Sequence, residues 1–219
     1  MNDNPHDRLA ETLGPGGRQG GVSLASAHAA LVLLHGRGAS APDIIGFAQE
    51  VDAPGVVYLA PQAPGSQWYP YSFLAPLASN EPRLSESLAR IETLLELLGA
   101  AGIPAQRVAL LGFSQGACLA LEYAARHALR YGAVVGLSGG LIGPDDTPRD
   151  YAGSFAATPV FLGCSDVDPH VPKARVDLTA EVLRRMGGAV DARIYPGMGH
   201  TINRDELAAV RGLVAGMAR

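Results

Sequence analysis

At 219 residues, of which 47 % are hydrophobic and 17 % charged, the chain has enough apolar material for one well-packed domain and too little length for two. The formal net charge of −4, without a basic cluster, excludes a surface built to neutralise nucleic-acid phosphates. The two cysteines, Cys118 and Cys164, are too few for a disulfide framework and point to a reducing compartment.

Residues 1–21 are polar and glycine-rich and lack the apolar centre of a signal peptide. Nowhere do about 18 consecutive apolar residues occur to span a bilayer, so a cytoplasmic protein is expected. Residues 1–19 carry Asn, Asp, Pro and Gly around Leu9 and Leu13 and read as a flexible or loosely docked segment, with residues 20–219 as a single domain. Residues 20–24 suit the start of a short antiparallel edge strand. Residues 29–34 form an unbroken apolar run, a buried strand that feeds the glycine-rich turn His35-Gly36-Arg37-Gly38. A short helix over residues 43–51 and a strand over 56–60 follow. Residues 61–81 then make a long connection rich in proline and aromatics, and connections of that length inside compact domains tend to carry function.

From Pro82 onward, Leu88, Ile91, Leu94, Leu95 and Leu98 recur at spacings of three and four, the stripe of a helix that Gly99 and Gly102 end. Residues 108–111 read as a strand, 117–128 as a helix and 133–137 as the next strand. Residues 159–162 and 191–195 make two more strands. Between them lies a helix from about Lys173 with Thr179, Val182, Leu183 and Met186 on one face. The final helix opens on Asn203-Arg-Asp-Glu206, a capping-box pattern, and aligns Leu207, Val210, Val214 and Met217. Strands alternating with helices predict an α/β fold with a mostly parallel sheet covered on both faces.

The chemistry centres on Gly112-Phe-Ser114-Gln-Gly116 between a strand and a helix, the nucleophile-elbow pattern. A side chain at either glycine would collide with the neighbouring strand or helix, and the turn lifts Ser114 above the sheet at the positive end of the following helix. A serine hydroxyl needs a base, and the base needs a group to orient it. His200, in a glycine-rich loop between the last strand and the last helix, is the base that stands at the same sheet edge. His6 lies in the tail, His127 on a helix and His28 at the wrong end of a strand, while His170 reads as a rim residue. The orienting acid is Asp168, with Asp166 as the second candidate. Charge developing on a substrate oxygen needs donors aimed at it, for which the backbone N–H groups of Gln115 and Arg37 are placed. His35 reads as a buried ring that ties its turn together. No histidine or cysteine pair has metal-ligand spacing.

His35-Gly-Arg-Gly38, Gly112-Phe-Ser-Gln-Gly-Ala117, Asp168-Pro-His-Val-Pro172 and Gly197-Met-Gly-His200 together resemble the carboxylesterase/phospholipase family that includes the acyl-protein thioesterases. The resemblance runs over nearly the whole chain from Ala29 onward. It implies the α/β-hydrolase fold, a Ser114-Asp168-His200 triad, an oxyanion hole from the Arg37 and Gln115 backbones, and hydrolysis of esters or thioesters without a cofactor or metal. The chain departs from that pattern at Cys164-Ser165, where the family commonly has His-Gly, and at Arg37, where its thioesterases carry an apolar residue. The second departure suggests a guanidinium at the mouth that favours polar or anionic substrates, against a solvated arginine whose backbone alone matters.

Residues 138–158 are short and rich in Gly, Pro and Asp, with no room for a large helical cap, so an open, shallow site is expected. Trp68, Tyr71, Phe73 and Leu74, with Tyr69, either wall the acyl pocket or fill the core. The expected partner is a small ester or thioester of short to medium acyl length; a homodimer is left open. The alternative from another class is a non-catalytic ligand-binding protein on the same fold.

Overall fold

The computed structural model describes residues 5–217, with side chains from Asp7 onward. His6 therefore has a side chain outside the described residues. Seven strands form one sheet: β1 Arg18–Gly21, β2 Ala29–Leu34, β3 Val56–Ala60, β4 Val108–Phe113, β5 Ala133–Leu137, β6 Pro159–Ser165 and β7 Ala189–Tyr195. Their order across the sheet is β1-β3-β2-β4-β5-β6-β7. β1 runs antiparallel at the edge, with Arg18 opposite Ala60, and the remaining neighbours are parallel.

Continuous apolar runs become strands here because helices cover both faces. Along β2 the side chains alternate: Ala30, Val32 and Leu34 enter one core, and Ala29, Leu31 and Leu33 the other. The first core is closed by α1 Pro5–Leu13, α3 Arg83–Ala100, α4 Gln115–Arg126 and α5 Lys173–Arg185. The second is closed by α2 Ala41–Val51 and α6 Arg204–Met217. The stripe of α3 is buried as its spacing predicts, with Ile91 and Leu94 fully covered. Asn203 and Glu206 form the expected reciprocal cap: the Asn203 side chain accepts from the Glu206 N–H at 2.9 Å, and Glu206 accepts from the Asn203 N–H at 2.8 Å.

The described part of the leading segment forms α1 and packs against α3. Leu9 and Leu13, one helical turn apart, bury on the first core beside α3, which two leucines among polar residues are too sparse a pattern to announce. β6 extends to Ser165 and so reaches the acid-bearing turn itself. Between Leu137 and Pro159 the described chain forms turns and a single isolated bridge but no helix, so no cap covers the sheet edge. Among the described residues no helix is long and apolar enough to cross a membrane.

Candidate active site

The strand β4 ends at Phe113, and Ser114 turns the chain into α4 with φ +54° and ψ −119°. That left-handed, strained conformation persists because both flanking glycines let the backbones close on one another. A Cβ on Gly112 would run into the carbonyl of Gly116, and one on Gly116 into the carbonyl oxygen of Leu34 in β2. The Ser114 N–H is held by the Leu137 carbonyl at 2.9 Å. Ser114 Oγ lies 2.9 Å from His200 Nε2, and His200 Nδ1 lies 2.7 Å from Asp168 Oδ2. Segments after β4, β6 and β7 thus meet at the C-terminal edge of the sheet. The His200 side chain is 18 % exposed and the Asp168 carboxylate 0 %.

Burial alone would raise the Asp168 carboxyl. Hydrogen bonds from His200 and from the N–H groups of His170 and Val171 outweigh it and hold the pKa below the ordinary value, so an anion faces Nδ1 at neutral pH. The imidazole of His200 is flanked by Phe113, at 4.9 Å between ring centres, and by His170, edge-on at 4.8 Å. Three bonds fasten its loop to the acid turn: Asp166 Oδ1 accepts from the Gly197 N–H at 2.8 Å, Ser165 Oγ from the Gly199 N–H at 3.1 Å, and Asp168 from His200. Asp166, the second candidate for the acid, lies against the backbone of the loop, and Asp168 against the ring.

Ser114 opens into a cleft of about 510 Å³ bordered by Gly36, Arg37, Gln115, Tyr71, Phe73 and His170. Gln115 is the first residue of α4, so its N–H has no acceptor within the helix. The turn carrying Arg37 abuts the elbow: a Cβ on Gly36 would stand 3.4 Å from that of Ser114. His35 is 1 % exposed and burial lowers its pKa, so it is neutral. Its Nδ1–H donates to the Gly36 carbonyl at 2.8 Å and its Nε2 accepts from the Ala63 N–H at 3.1 Å, which ties the turn to the long connection.

The sequence profile of the Phospholipase/Carboxylesterase family matches residues 23–215. The chain belongs to this family. Its structure is similar to that of a phospholipase/carboxylesterase from Dyadobacter fermentans, with a TM-score of 0.87 and 42 % identity over 90 % of this chain and 95 % of that one. Acyl-protein thioesterase 1 of Gibberella zeae is 34 % identical over 122 residues, 52 % of this chain, and the match spans about half of that relative, 49 %. The Yarrowia lipolytica acyl-protein thioesterase 1 is 28 % identical over 207 residues, 84 % of this chain and 90 % of that protein. The fold is the α/β-hydrolase fold of this family.

Against the phospholipase/carboxylesterase pattern, the Cys164-Ser165 departure leaves the acid turn intact: Ser165 Oγ also accepts from the Val167 N–H at 3.1 Å and so closes the turn by itself. Arg37 is exposed, yet its guanidinium is not a free group at the mouth of the cleft. It donates to Gln67 Oε1 and the Pro70 carbonyl, each at 2.8 Å, and to the Tyr69 and Tyr71 carbonyls at 2.9 and 2.7 Å.

The aromatic connection divides in a way its composition does not reveal. Tyr71 and Phe73 border the cleft, whereas Trp68 and Leu74 do not. Trp68 is 1 % exposed, tilts against His35 and donates its indole N–H to the His35 carbonyl at 2.8 Å, so it is core. Leu74 instead borders a separate hollow with Pro172 and with Ala174 and Leu178 of α5. Sequence reasoning also passed over Cys118, which reaches the cleft floor, and burial pushes its thiol up to about 12, an inert neutral group. Its place one helical turn after Ser114 was the available signal.

Proposed function

We propose that this chain is a serine hydrolase of carboxylic esters or thioesters with short to medium acyl groups, working through an acyl-enzyme. The observation that carries this reading is the unbroken chain of contacts from Ser114 Oγ to His200 at 2.9 Å and from His200 to Asp168 at 2.7 Å, at the bottom of an uncapped cleft. Ser114 Oγ attacks the acyl carbonyl while His200 Nε2 takes its proton, and Asp168 orients the ring and stabilises the imidazolium. The oxygen that becomes anionic lies toward the backbone N–H groups of Arg37 and Gln115, with the helix N-terminus of α4 adding its positive end. Collapse of the tetrahedral intermediate breaks the bond to the alcohol or thiol, which leaves with the proton from His200. Water then attacks the acyl-serine, giving its proton to His200, and Ser114 is regenerated. The acyl chain lies against Tyr71 and Phe73. No step requires a metal or cofactor.

Turnover of p-nitrophenyl acetate and butyrate, with Ser114→Ala as control, tests this. The variant is expected to lose about 10⁴-fold or more of kcat. Wild type and variant equally inert, or equally active, would refute it.

A further inference from the structure

Both residues whose backbones face the developing oxyanion use their side chains to grip the same loop. Gln115 Nε2 donates to the Tyr69 carbonyl at 2.7 Å, and its Oε1 accepts from the Trp68 N–H at 3.0 Å. Arg37 takes the carbonyls of Tyr69, Pro70 and Tyr71 together with Gln67 Oε1. Three successive carbonyls therefore converge on one guanidinium. Their dipoles would repel one another without a cation between them, and only a planar fork offers four donors in that spread. None of the four acceptors is a carboxylate, so the guanidinium is spent on shaping backbone and not on an ion pair. The segment so gathered carries Tyr71 and Phe73 to the cleft.

We propose that Arg37 is a positioning residue that sets acyl-chain selectivity by hanging the aromatic wall on the oxyanion hole, with Gln115 as its second anchor. This rests on the hydrolase reading above. It also replaces the expectation that Arg37 selects anionic substrates, because its terminal N–H donors are already engaged by the loop.

The chain has one tryptophan, Trp68, inside the gripped segment and 1 % exposed, so its fluorescence reports on the loop without reference to turnover. The experiment compares wild type, Arg37→Leu and Arg37→Lys on p-nitrophenyl acetate, butyrate and hemisuccinate, and records Trp68 emission and acrylamide quenching. For Arg37→Leu the KM for butyrate is expected to rise about tenfold with kcat falling less than threefold. The preference for butyrate over acetate collapses, hemisuccinate and butyrate decline together, and Trp68 emission shifts red. Arg37→Lys, which restores charge but not the fork, falls between. A loss confined to hemisuccinate would overturn the proposal in favour of charge recognition, and an unchanged acyl profile with unchanged emission would overturn it outright. Should wild type turn over none of the esters, the hydrolase reading fails, and Trp68 emission alone then decides whether Arg37 holds the loop. Should Arg37→Leu not fold, Arg37→Lys decides on the same readouts.

Discussion

Two loops meet over Ser114, and they are held by different means. The histidine loop is tied to the acid turn by Ser165, Asp166 and Asp168, and at its far end Glu206 accepts the Asn203 N–H, so it is pinned between a strand end and a helix cap. The aromatic loop is held partly from its own C-terminal side, where the buried Asn80 side chain accepts from the Tyr71 N–H at 2.9 Å and donates to the Ser72 carbonyl at 3.1 Å, and Ser87 Oγ donates to the Trp68 carbonyl at 2.7 Å. Its remaining ties come from far along the chain, from Arg37 and Gln115, about 30 and 46 residues away, and from the His35 carbonyl, which accepts the Trp68 indole N–H. The first arrangement fixes one imidazole to the tolerance that proton transfer demands. On the hydrolase reading proposed above, the second fixes a wall whose shape would decide which acyl group fits and not whether the chemistry proceeds. Changes near the first should act on kcat, and changes near the second on KM.

The largest effect expected within that contrast is at Asp168. Asp168→Asn keeps the shape but offers the wrong partner to Nδ1–H, and kcat should fall about 10³- to 10⁴-fold with KM little moved. Steady-state kinetics on p-nitrophenyl butyrate checks this, and a fall in kcat below tenfold would remove Asp168 from its role. Next comes the elbow, on which both loops depend. Gly116→Ala drives a methyl into the Leu34 carbonyl and should cost about 3 kcal/mol of stability, read as a shift in the urea midpoint.

How legible all this was differs between the two loops for a physical reason. The elbow glycines, Asp168 and His200 each stand where a strand ends, and strand ends are marked by a switch from apolar runs to glycine and polar residues. Trp68 and Leu74 could not be told from Tyr71 and Phe73, because single-turn helices at Pro64–Ser66 and Leu77–Asn80 rotate the intervening chain with no readable period. The task of Arg37 was hidden for another reason: its partners are mostly main-chain carbonyls, which any residue supplies, so the sequence holds no complementary mark. That residues 5–13 form a helix was hidden because two leucines set no periodicity.

Glu206 offers a pH test of the far anchor. It is buried, one carboxylate oxygen lacks a partner, and burial raises its pKa from 4.5 to about 7. A carboxyl raised on folding stabilises the fold when protonated, so its contribution is complete below pH 4.5 and is lost as the pH climbs through 7. Wild type should therefore lose on the order of 2 kcal/mol between pH 5 and 8 relative to Glu206→Gln, which keeps an acceptor for Asn203 without the charge. Urea midpoints for the two proteins running parallel across that range would show that the buried carboxylate carries no such cost.

The smallest effect sharpens the contrast most. Asp166 is exposed and touches the histidine loop through one bond, to the N–H of Gly197, a residue at φ +65° whose backbone sets the direction of the chain into His200. Such a bond contributes about 1 kcal/mol, so Asp166→Ala should lower kcat about three- to tenfold while KM stays within twofold. Asp166→Asn retains a carbonyl oxygen and should recover most of the loss. If Asp166→Ala instead raised KM as Arg37→Leu is expected to, the division of labour between the loops would be wrong, since a residue that contacts only the histidine loop would be shaping the acyl pocket. If alanine and asparagine behaved alike, the acceptor would be irrelevant and the loop would owe its position to Ser165 and Asp168 alone.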